Sequence, residues 1–186
     1  MVEIINGKEI AQNLKQELSY KLEKLQKKGN RAPCLCVVLV GDDPASRVYV
    51  AHKEKACKKI GIISKTVHLE ASSSEEKVLG LIKELNKDPV VDSILVQLPL
   101  PPQINSWQVI QAINPLKDVD GLTPQSQGLL AWGKKGFIPC TPLGILKLLE
   151  SLNQDLEGKK VAIIGRSVLV GASLARLLTQ RDMTVS

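Results

Sequence analysis

The sequence predicts an α/β fold with a parallel sheet. Segments with strand-like and helix-like patterns alternate along most of the 186 residues, as parallel βαβ units require. The first predicted strand, 34–40, is a continuous apolar run, which is typical of a strand buried on both faces. Hydrophobic residues make up 44% of the chain and charged residues 24%, so the composition excludes a disordered or collagen-like protein.

The first half of the chain is predicted to contain three long helices and three strands. The elements are a helix at 8–28, a strand at 34–40, a helix from near Ser46 to about Ile60, a strand at 62–69, a helix from Ser72 to about Asn86 and a strand at 93–96. Leucines every three to four residues indicate the first helix, and Gly61 is the residue type that ends the second. Pro99 prevents the third strand from continuing, because proline donates no ladder hydrogen bond.

The second half of the chain is predicted to begin irregularly and to end in a new domain. The elements are a short helix at 105–113, an irregular segment that runs to Pro139, a helix at 143–152, a strand at 160–164, a helix at 172–180 and the start of a strand at 183–186. A composition shift near Pro139–Pro142 predicts two domains, 1–140 and 141–186. Because 141–186 holds little more than one strand–helix unit, we expect it to be an incomplete domain.

The net charge of +6 is concentrated in the first third of the chain. Residues 1–60 carry 12 Lys and Arg against 7 Asp and Glu, whereas residues 61–186 carry 13 against 12. Such an excess suits an acidic small molecule or a nucleic acid. No aromatic residues interleave with the basic ones, so solvated helix faces are the favoured interpretation. We therefore expect no nucleic-acid partner.

The cysteines and the N-terminus predict a reducing compartment. Cys34, Cys36, Cys57 and Cys140 fit neither a disulfide framework nor a zinc spacing, and we expect reduced thiols in the core. The N-terminal residues lack the basic and apolar regions of a secretory signal. No apolar run approaches the ~18 residues of a membrane span. A cytoplasmic protein without a membrane partner is the resulting expectation.

Tyr49 and Lys53 lie four residues apart in the second predicted helix, so both side chains project from one face. A lysine beside a phenol can act as a general acid and base when burial lowers its pKa. Taken alone, the spacing favours a surface lysine next to a half-buried tyrosine. Short-chain dehydrogenases also use this pair, but there it follows the glycine-rich turn, whereas here it precedes the candidate turn by more than one hundred residues.

Gln97 lies between the predicted strand 93–96 and a rigid proline-rich segment. Ligands of α/β sheets bind outside the carboxyl ends of the strands, so an amide fixed there can orient a neighbouring lysine. A glutamine that only satisfies loop backbone is an equal alternative by spacing.

Asp118 and Asp120 precede Gly121 in the sequence Lys-Asp-Val-Asp-Gly. A carboxylate can accept a pair of N–H bonds from a heterocycle. Calcium binding by an EF-hand is excluded, because the further ligands and the closing glutamate are absent. In isolation, a turn made by aspartate and glycine is the favoured interpretation.

Gly165 and Gly171 bound a turn between the last predicted strand and helix. Glycines allow a diphosphate to approach the backbone, and the N-terminus of the helix attracts its charge. The spacing meets the dinucleotide-binding fingerprint only in part, and it is neither a P-loop nor a hydrolase elbow. Arg166 can pair with a phosphate on the adenosine ribose. A tight turn without a ligand is the alternative.

Together these stretches resemble the bifunctional methylenetetrahydrofolate dehydrogenase/methenyltetrahydrofolate cyclohydrolase (FolD-type) family. The resemblance covers nearly the whole chain, and six short motifs in the family's order carry it. They are Gly41-Asp-Asp-Pro-Ala-Ser46, Tyr49-Val-Ala-His-Lys53, Val96-Gln-Leu-Pro-Leu-Pro101, Lys117-Asp-Val-Asp-Gly121, Pro139-Cys-Thr-Pro142 and Gly165-Arg-Ser167. One departure is Ser173, which stands where the family usually has proline.

The resemblance implies an N-terminal α/β catalytic domain, followed by a Rossmann-like NAD(P)-binding domain that is truncated in this chain. It also implies an enzyme that oxidises 5,10-methylenetetrahydrofolate with NADP and hydrolyses the 5,10-methenyl product to 10-formyltetrahydrofolate. NAD is the less favoured cofactor, no metal is implied, and the full-length family member is expected to be a homodimer. A fragment that binds folate or nucleotide without catalysis is the alternative.

The resemblance also implies site residues. Lys53 is the acid–base lysine, Gln97 holds it, and Tyr49 positions the folate. The implied substrate-binding residues are Tyr49, Gln97, Leu98 and Asp120, with Asp120 on the pterin ring. The implied cofactor-binding residues are Thr141, Gly165, Arg166, Ser167 and Gly171, with Arg166 near the 2′-phosphate.

Overall fold

The protein is described by a computed structural model over residues 4–186. Its residues form two compact units. The first, called the sheet unit, is Leu14–Asp118, and the second, called the C-terminal unit, joins Val119–Ser186 to the described residues up to Asn13. These units are defined by how their residues pack, whereas the predicted domains were defined by the ligand that each would bind. The predicted boundary between residues 140 and 141 therefore stays a prediction.

The sheet unit is built on three parallel strands. After helix α1 (Gly7–Lys27), its elements are β1 (Cys34–Val40), α2 (Pro44–Ile60), β2 (Ile63–Leu69), α3 (Glu75–Lys87), β3 (Ser93–Val96) and α4 (Ser106–Gln111). The strand order is β2-β1-β3, and Val38 of β1 lies in register with Val67 and Val96. A core of apolar side chains from β1, β3 and α3 packs together, and it includes Val38, Val78 and Ile82. The predicted parallel α/β fold is confirmed.

The C-terminal unit holds five further elements. They are α5 (Pro124–Ala131), α6 (Cys140–Glu150), β4 (Lys160–Val161), α7 (Gly171–Thr179) and β5 (Thr184–Val185). The two short strands pair in parallel. Leu146 of α6 packs with Leu174 and Leu178 of α7 and with Met183, which makes a second small core.

Three predictions about the C-terminal unit are wrong in detail. Helix α5 lies inside the segment predicted to be irregular. Helix α6 begins at Cys140, three residues before the predicted start, and β4 covers only two of the five predicted residues. Ile163 nevertheless donates a backbone hydrogen bond to Ser186, 2.8 Å away, so the parallel pairing continues past β4.

The expectation of core thiols holds for three of the four cysteines. Cys34, Cys36 and Cys57 are buried, and burial raises the pKa of the Cys36 and Cys57 thiols. Cys140 is exposed on the solvent side of the first turn of α6, so the prediction is wrong there. No helix in the described part of the chain is long and apolar enough to cross a membrane.

Candidate functional site

The carboxyl ends of β1 and β3 bring two predicted motifs to one edge of the sheet. The strands are adjacent and parallel, so the residues that follow them emerge on the same side. Gly41 follows β1, and Gln97 follows β3. The backbone N–H of Gln97 donates to the Val38 carbonyl, 2.9 Å away. This hydrogen bond anchors the segment that begins at Gln97 to the neighbouring strand.

The turn after β1 fixes where helix α2 begins. Gly41 has φ +84°, and a Cβ there would lie 3.4 Å from the Cβ of Ala71, so glycine suits the position. Asp43 caps the helix: its carboxylate accepts the Ser46 N–H at 2.7 Å. Hydrogen bonds from the Ser46 backbone and side chain hold the pKa of Asp43 below its usual value.

Lys53 and Gln97 meet above this edge. The Lys53 Nζ donates to Gln97 Oε1 at 3.1 Å, and Gln97 Nε2 donates to the Leu98 carbonyl at 2.7 Å. Both ends of the amide are therefore used, and its oxygen faces the lysine. Lys53 is partly buried, whereas Tyr49, one turn earlier on the same helix, keeps 62% of its surface exposed. The site therefore presents a held amine, with an exposed aromatic ring one helical turn away.

Lys117 has a structural role that the motif alone did not predict. Its Nζ donates to the carbonyls of Leu85 and Asp88 at the C-terminus of α3, at 2.9 and 2.7 Å. Its own carbonyl accepts the Ile94 N–H at 2.8 Å. A lysine is favoured at the C-terminus of a helix, where the last carbonyls lack partners. The side chain thus fixes the stretch that leads to the buried Asp118.

Asp120 and Gly121 lie in the C-terminal unit. Asp120 is partly buried. Gly121 has φ +65°, and a Cβ there would lie 2.8 Å from the Phe137 carbonyl oxygen, so the turn requires glycine. The Gly121 carbonyl accepts a hydrogen bond from Gln127 Nε2 at 2.7 Å.

The turn at 165–171 combines a close backbone approach with an open side. Gly165 has φ +136°, and a Cβ on Gly171 would lie 2.1 Å from the Gly165 carbonyl oxygen, closer than any real contact. No atom lies within 4 Å of a Cβ built on Gly165, so that side of the turn is open. The turn leads directly into the N-terminus of α7, and Arg166 and Ser167 are exposed on it. These features fit a dinucleotide cofactor.

The predicted site residues are therefore divided between the two units. Tyr49, Lys53, Gln97 and Leu98 belong to the sheet unit, where the structure brings the last three together. Asp120, Thr141 and the turn at 165–171 belong to the C-terminal unit, and Thr141 is exposed in the first turn of α6. Among the described residues, no group of three or more His, Cys, Asp or Glu could hold a metal ion.

Comparison with known proteins identifies the family. The model of the tetrahydrofolate dehydrogenase/cyclohydrolase catalytic domain matches residues 5–120. The model of the NAD(P)-binding domain of the same enzymes matches residues 139–186. The chain belongs to this family.

Its relatives share sequence and fold over the whole chain. "Bifunctional protein FolD 2" of Geobacter sulfurreducens is 48% identical over 186 residues, which is all of this chain and 65% of that protein. The crystal structure of the bifunctional FolD enzyme of Campylobacter jejuni matches with a TM-score of 0.96 and 45% identity, covering 99% of this chain and 65% of that one. The Trypanosoma brucei FolD, complexed with NADP and an inhibitor, matches with a TM-score of 0.95 and 31% identity, over 100% and 63%. The chain thus spans about two thirds of their length.

Gln127 is a site-adjacent residue that the sequence patterns did not predict. It contacts Gly121 from a helix, α5, that lies inside the segment predicted to be irregular. Thr123 followed by Pro124 is a helix-start signal that could have located α5, since Thr123 accepts the Ser126 N–H as its N-cap. No sequence signal identifies which carbonyl a glutamine contacts.

Proposed function

We propose that this protein oxidises 5,10-methylenetetrahydrofolate to the 5,10-methenyl form with NADP, and hydrolyses that product to 10-formyltetrahydrofolate. One observation carries the proposal: Lys53 Nζ is held 3.1 Å from Gln97 Oε1 at the carboxyl edge of a parallel sheet. Both residues lie within the span that matches the family's catalytic domain.

In hydrolysis, the residues of the sheet unit handle protons and position the folate. Water adds to the bridging methenyl carbon and loses a proton, and Lys53 is the group placed to accept it. The bond from that carbon to N5 then breaks as the hydroxyl on the carbon loses its proton to solvent and becomes the formyl carbonyl. N5 keeps the electron pair of the broken bond, and Lys53 returns a proton to it. Gln97 keeps the lysine in place through both steps. Tyr49 and Leu98 would contact the folate. One proton is released overall.

In oxidation, little proton transfer is needed, because the methylene carbon becomes cationic as hydride departs. Orientation is then the main contribution of the protein. A bound nicotinamide supplies the hydride acceptor. Asp120 binds the amino and ring N–H groups of the pterin, as a carboxylate can.

The cofactor residues lie in the C-terminal unit. Thr141, Gly165, Arg166, Ser167 and Gly171 would hold the nicotinamide dinucleotide. Arg166 would pair with the 2′-phosphate, which favours NADP over NAD. A homodimer in the full-length family member, a cytoplasmic location and the absence of nucleic-acid or membrane partners belong to the same proposal.

Hydrolysis of methenyltetrahydrofolate without any nicotinamide tests the proposal. The methenyl absorbance should fall faster with the protein than in buffer alone. Lys53→Met should lower the rate of this hydrolysis at least about a hundredfold, as expected for a lost general acid–base group. Lys55→Met, an exposed lysine on the same helix, is the matched control and should hydrolyse like wild type. Both variants should still bind folate.

Two outcomes contradict the proposal in different ways. Unchanged turnover in Lys53→Met would refute the lysine assignment. Tight folate binding by a folded wild-type chain that never hydrolyses the substrate would favour the alternative, a binding fragment without catalysis.

A further inference from the structure

One glutamine links two turns of the C-terminal unit that the proposed function assigns to different ligands. Gln127 Nε2 donates to the Gly121 carbonyl at 2.7 Å, directly after Asp120. Its Oε1 accepts a hydrogen bond from Arg176 Nη1 of α7 at 2.9 Å. The donor end and the acceptor end are both used, so the amide can take only this orientation.

Helix α7 continues the link to the turn at 165–171. Ser173 is fully buried, and its Oγ lies 2.6 Å from the Val168 carbonyl and 3.3 Å from Gln127 Oε1. A hydroxyl has one proton, and the shorter contact with Val168 takes it. Arg176 therefore supplies the donor that Gln127 Oε1 needs. Because Ser173 and Arg176 are three residues apart, they lie on one face of α7.

We propose that Gln127 is a positioning residue, which couples the order of the Asp120–Gly121 turn to that of the turn at 165–171. The coupling passes through Arg176 and through the anchor from Ser173 to Val168. It rests on the proposed function for its ligands, since those turns are assigned to the pterin and to NADP. Because each ligand orders its own turn, each should raise the affinity for the other, and the reciprocity of coupling makes the two factors equal.

One residue of the link, Ser173, is a departure from the family resemblance. The family resemblance places proline where Ser173 stands, and proline has no hydroxyl to donate to Val168. Gln127 also lies outside all six family motifs.

Amide hydrogen exchange of the unliganded chain tests the link directly. In Gln127→Leu, residues 119–123 and 165–172 should both exchange about tenfold faster, the expected effect of losing one hydrogen bond. Helix α6 should keep its wild-type rate. Gln125→Leu is the matched control, since Gln125 is exposed on the same helix, and it should change neither segment.

Gln127→Glu separates the two ends of the link. A carboxylate still accepts from Arg176 but cannot donate to the Gly121 carbonyl. Exchange should therefore accelerate at 119–123 and stay near the wild-type rate at 165–172. Faster exchange throughout the C-terminal unit would show general destabilisation and overturn the proposal, as would no change in Gln127→Leu.

Ligand titration gives the functional consequence. In wild type, saturating tetrahydrofolate should lower the Kd for NADP at least about fivefold, and in Gln127→Leu this factor should approach one. An unchanged factor in the variant would overturn the coupling. A wild-type chain that binds neither ligand would refute the proposed function, and the exchange pattern would then decide the Gln127 link by itself.

Discussion

Gln97 shows how one side chain at a strand end determines the position of another. Its oxygen holds Lys53 and its nitrogen is tied to the Leu98 carbonyl. We expect Gln97→Leu to slow methenyltetrahydrofolate hydrolysis about tenfold to a hundredfold, because the acid–base group loses its orientation. The measurement is the hydrolysis rate across pH at saturating substrate. Equal rates for Gln97→Leu and wild type would contradict the role.

The residues of the candidate site differ in how far the sequence could predict them. The contact between Lys53 and Gln97 was implied by the family resemblance, and the structure has it. Helical spacing and strand ends alone left a surface lysine and a loop-bound glutamine as alternatives. The partners of Lys117 and Gln127 did not follow, because a long polar side chain contacts whichever carbonyl the fold brings near it. A sequence pattern predicts the position of a residue in a helix, strand or turn, whereas the tertiary structure determines which groups its polar atoms contact.

At the scale of elements, the turn before α7 should be sensitive to a single methyl group. A Cβ on Gly171 would lie 2.1 Å from the Gly165 carbonyl oxygen, so Gly171→Ala must displace the backbone of the turn. We expect a loss of about 2 kcal/mol in the free energy of unfolding, with weaker NADP binding. Thermal or urea unfolding and NADP titration measure the two effects.

Gly144→Ala is the matched control for this substitution. Gly144 lies inside α6, and no atom of a neighbouring element lies within 4 Å of a Cβ built on it. Replacing a mid-helix glycine with alanine should stabilise the chain by about 0.5–1 kcal/mol. If both variants lost the same stability, the steric argument at Gly171 would be wrong.

The elements themselves were predictable wherever a long apolar pattern existed. Strands β1 to β3 and helices α1 to α3 fall within a few residues of their predicted bounds. Helix α5 was missed because its eight residues, Pro-Gln-Ser-Gln-Gly-Leu-Leu-Ala, have no apolar stripe. Strand β4 is shorter than its apolar run. An apolar run identifies residues that suit a strand, but the length of the strand depends on how many of them pair with a neighbouring strand.

At the scale of the whole molecule, hydrophobic periodicity predicts the apolar face of a helix but not the segments that pack against that face. The leucine periodicity of α1 predicted an amphipathic helix, and the helix is present. Yet none of its described residues is buried, and Leu18 and Leu25 keep nearly half of their surface exposed. Periodicity arises from one segment, whereas burial depends on every other segment that packs against it.

Stability against acid is a property of the whole chain that one ion pair should influence. Arg31 donates two hydrogen bonds to Asp92, at 2.6 and 2.9 Å, and Asp92 also accepts the buried Cys34 N–H at 2.7 Å. The Arg31 guanidinium, aided by that N–H, holds the pKa of Asp92 below its usual value against the opposing effect of burial. The carboxylate thus joins the residues before β1 to the residue before β3.

The direction of the pH effect follows from the lowered pKa of Asp92. Above about pH 5 the carboxylate is ionised in both the folded and the unfolded state, and its stabilisation is fully present. As pH falls through the lower folded value, the native state must take up a proton and the stabilisation is lost. Because both side chains are partly exposed, solvent limits the effect to about 1 kcal/mol. We expect Asp92→Asn to lower the urea midpoint at pH 7 and to show a smaller deficit near pH 2. Glu17→Gln is the control, since Glu17 is an exposed carboxylate on α1, and it should leave the urea midpoint unchanged at both pH values. An equal deficit for Asp92→Asn at pH 7 and near pH 2 would show that the charge of Asp92 is not the cause.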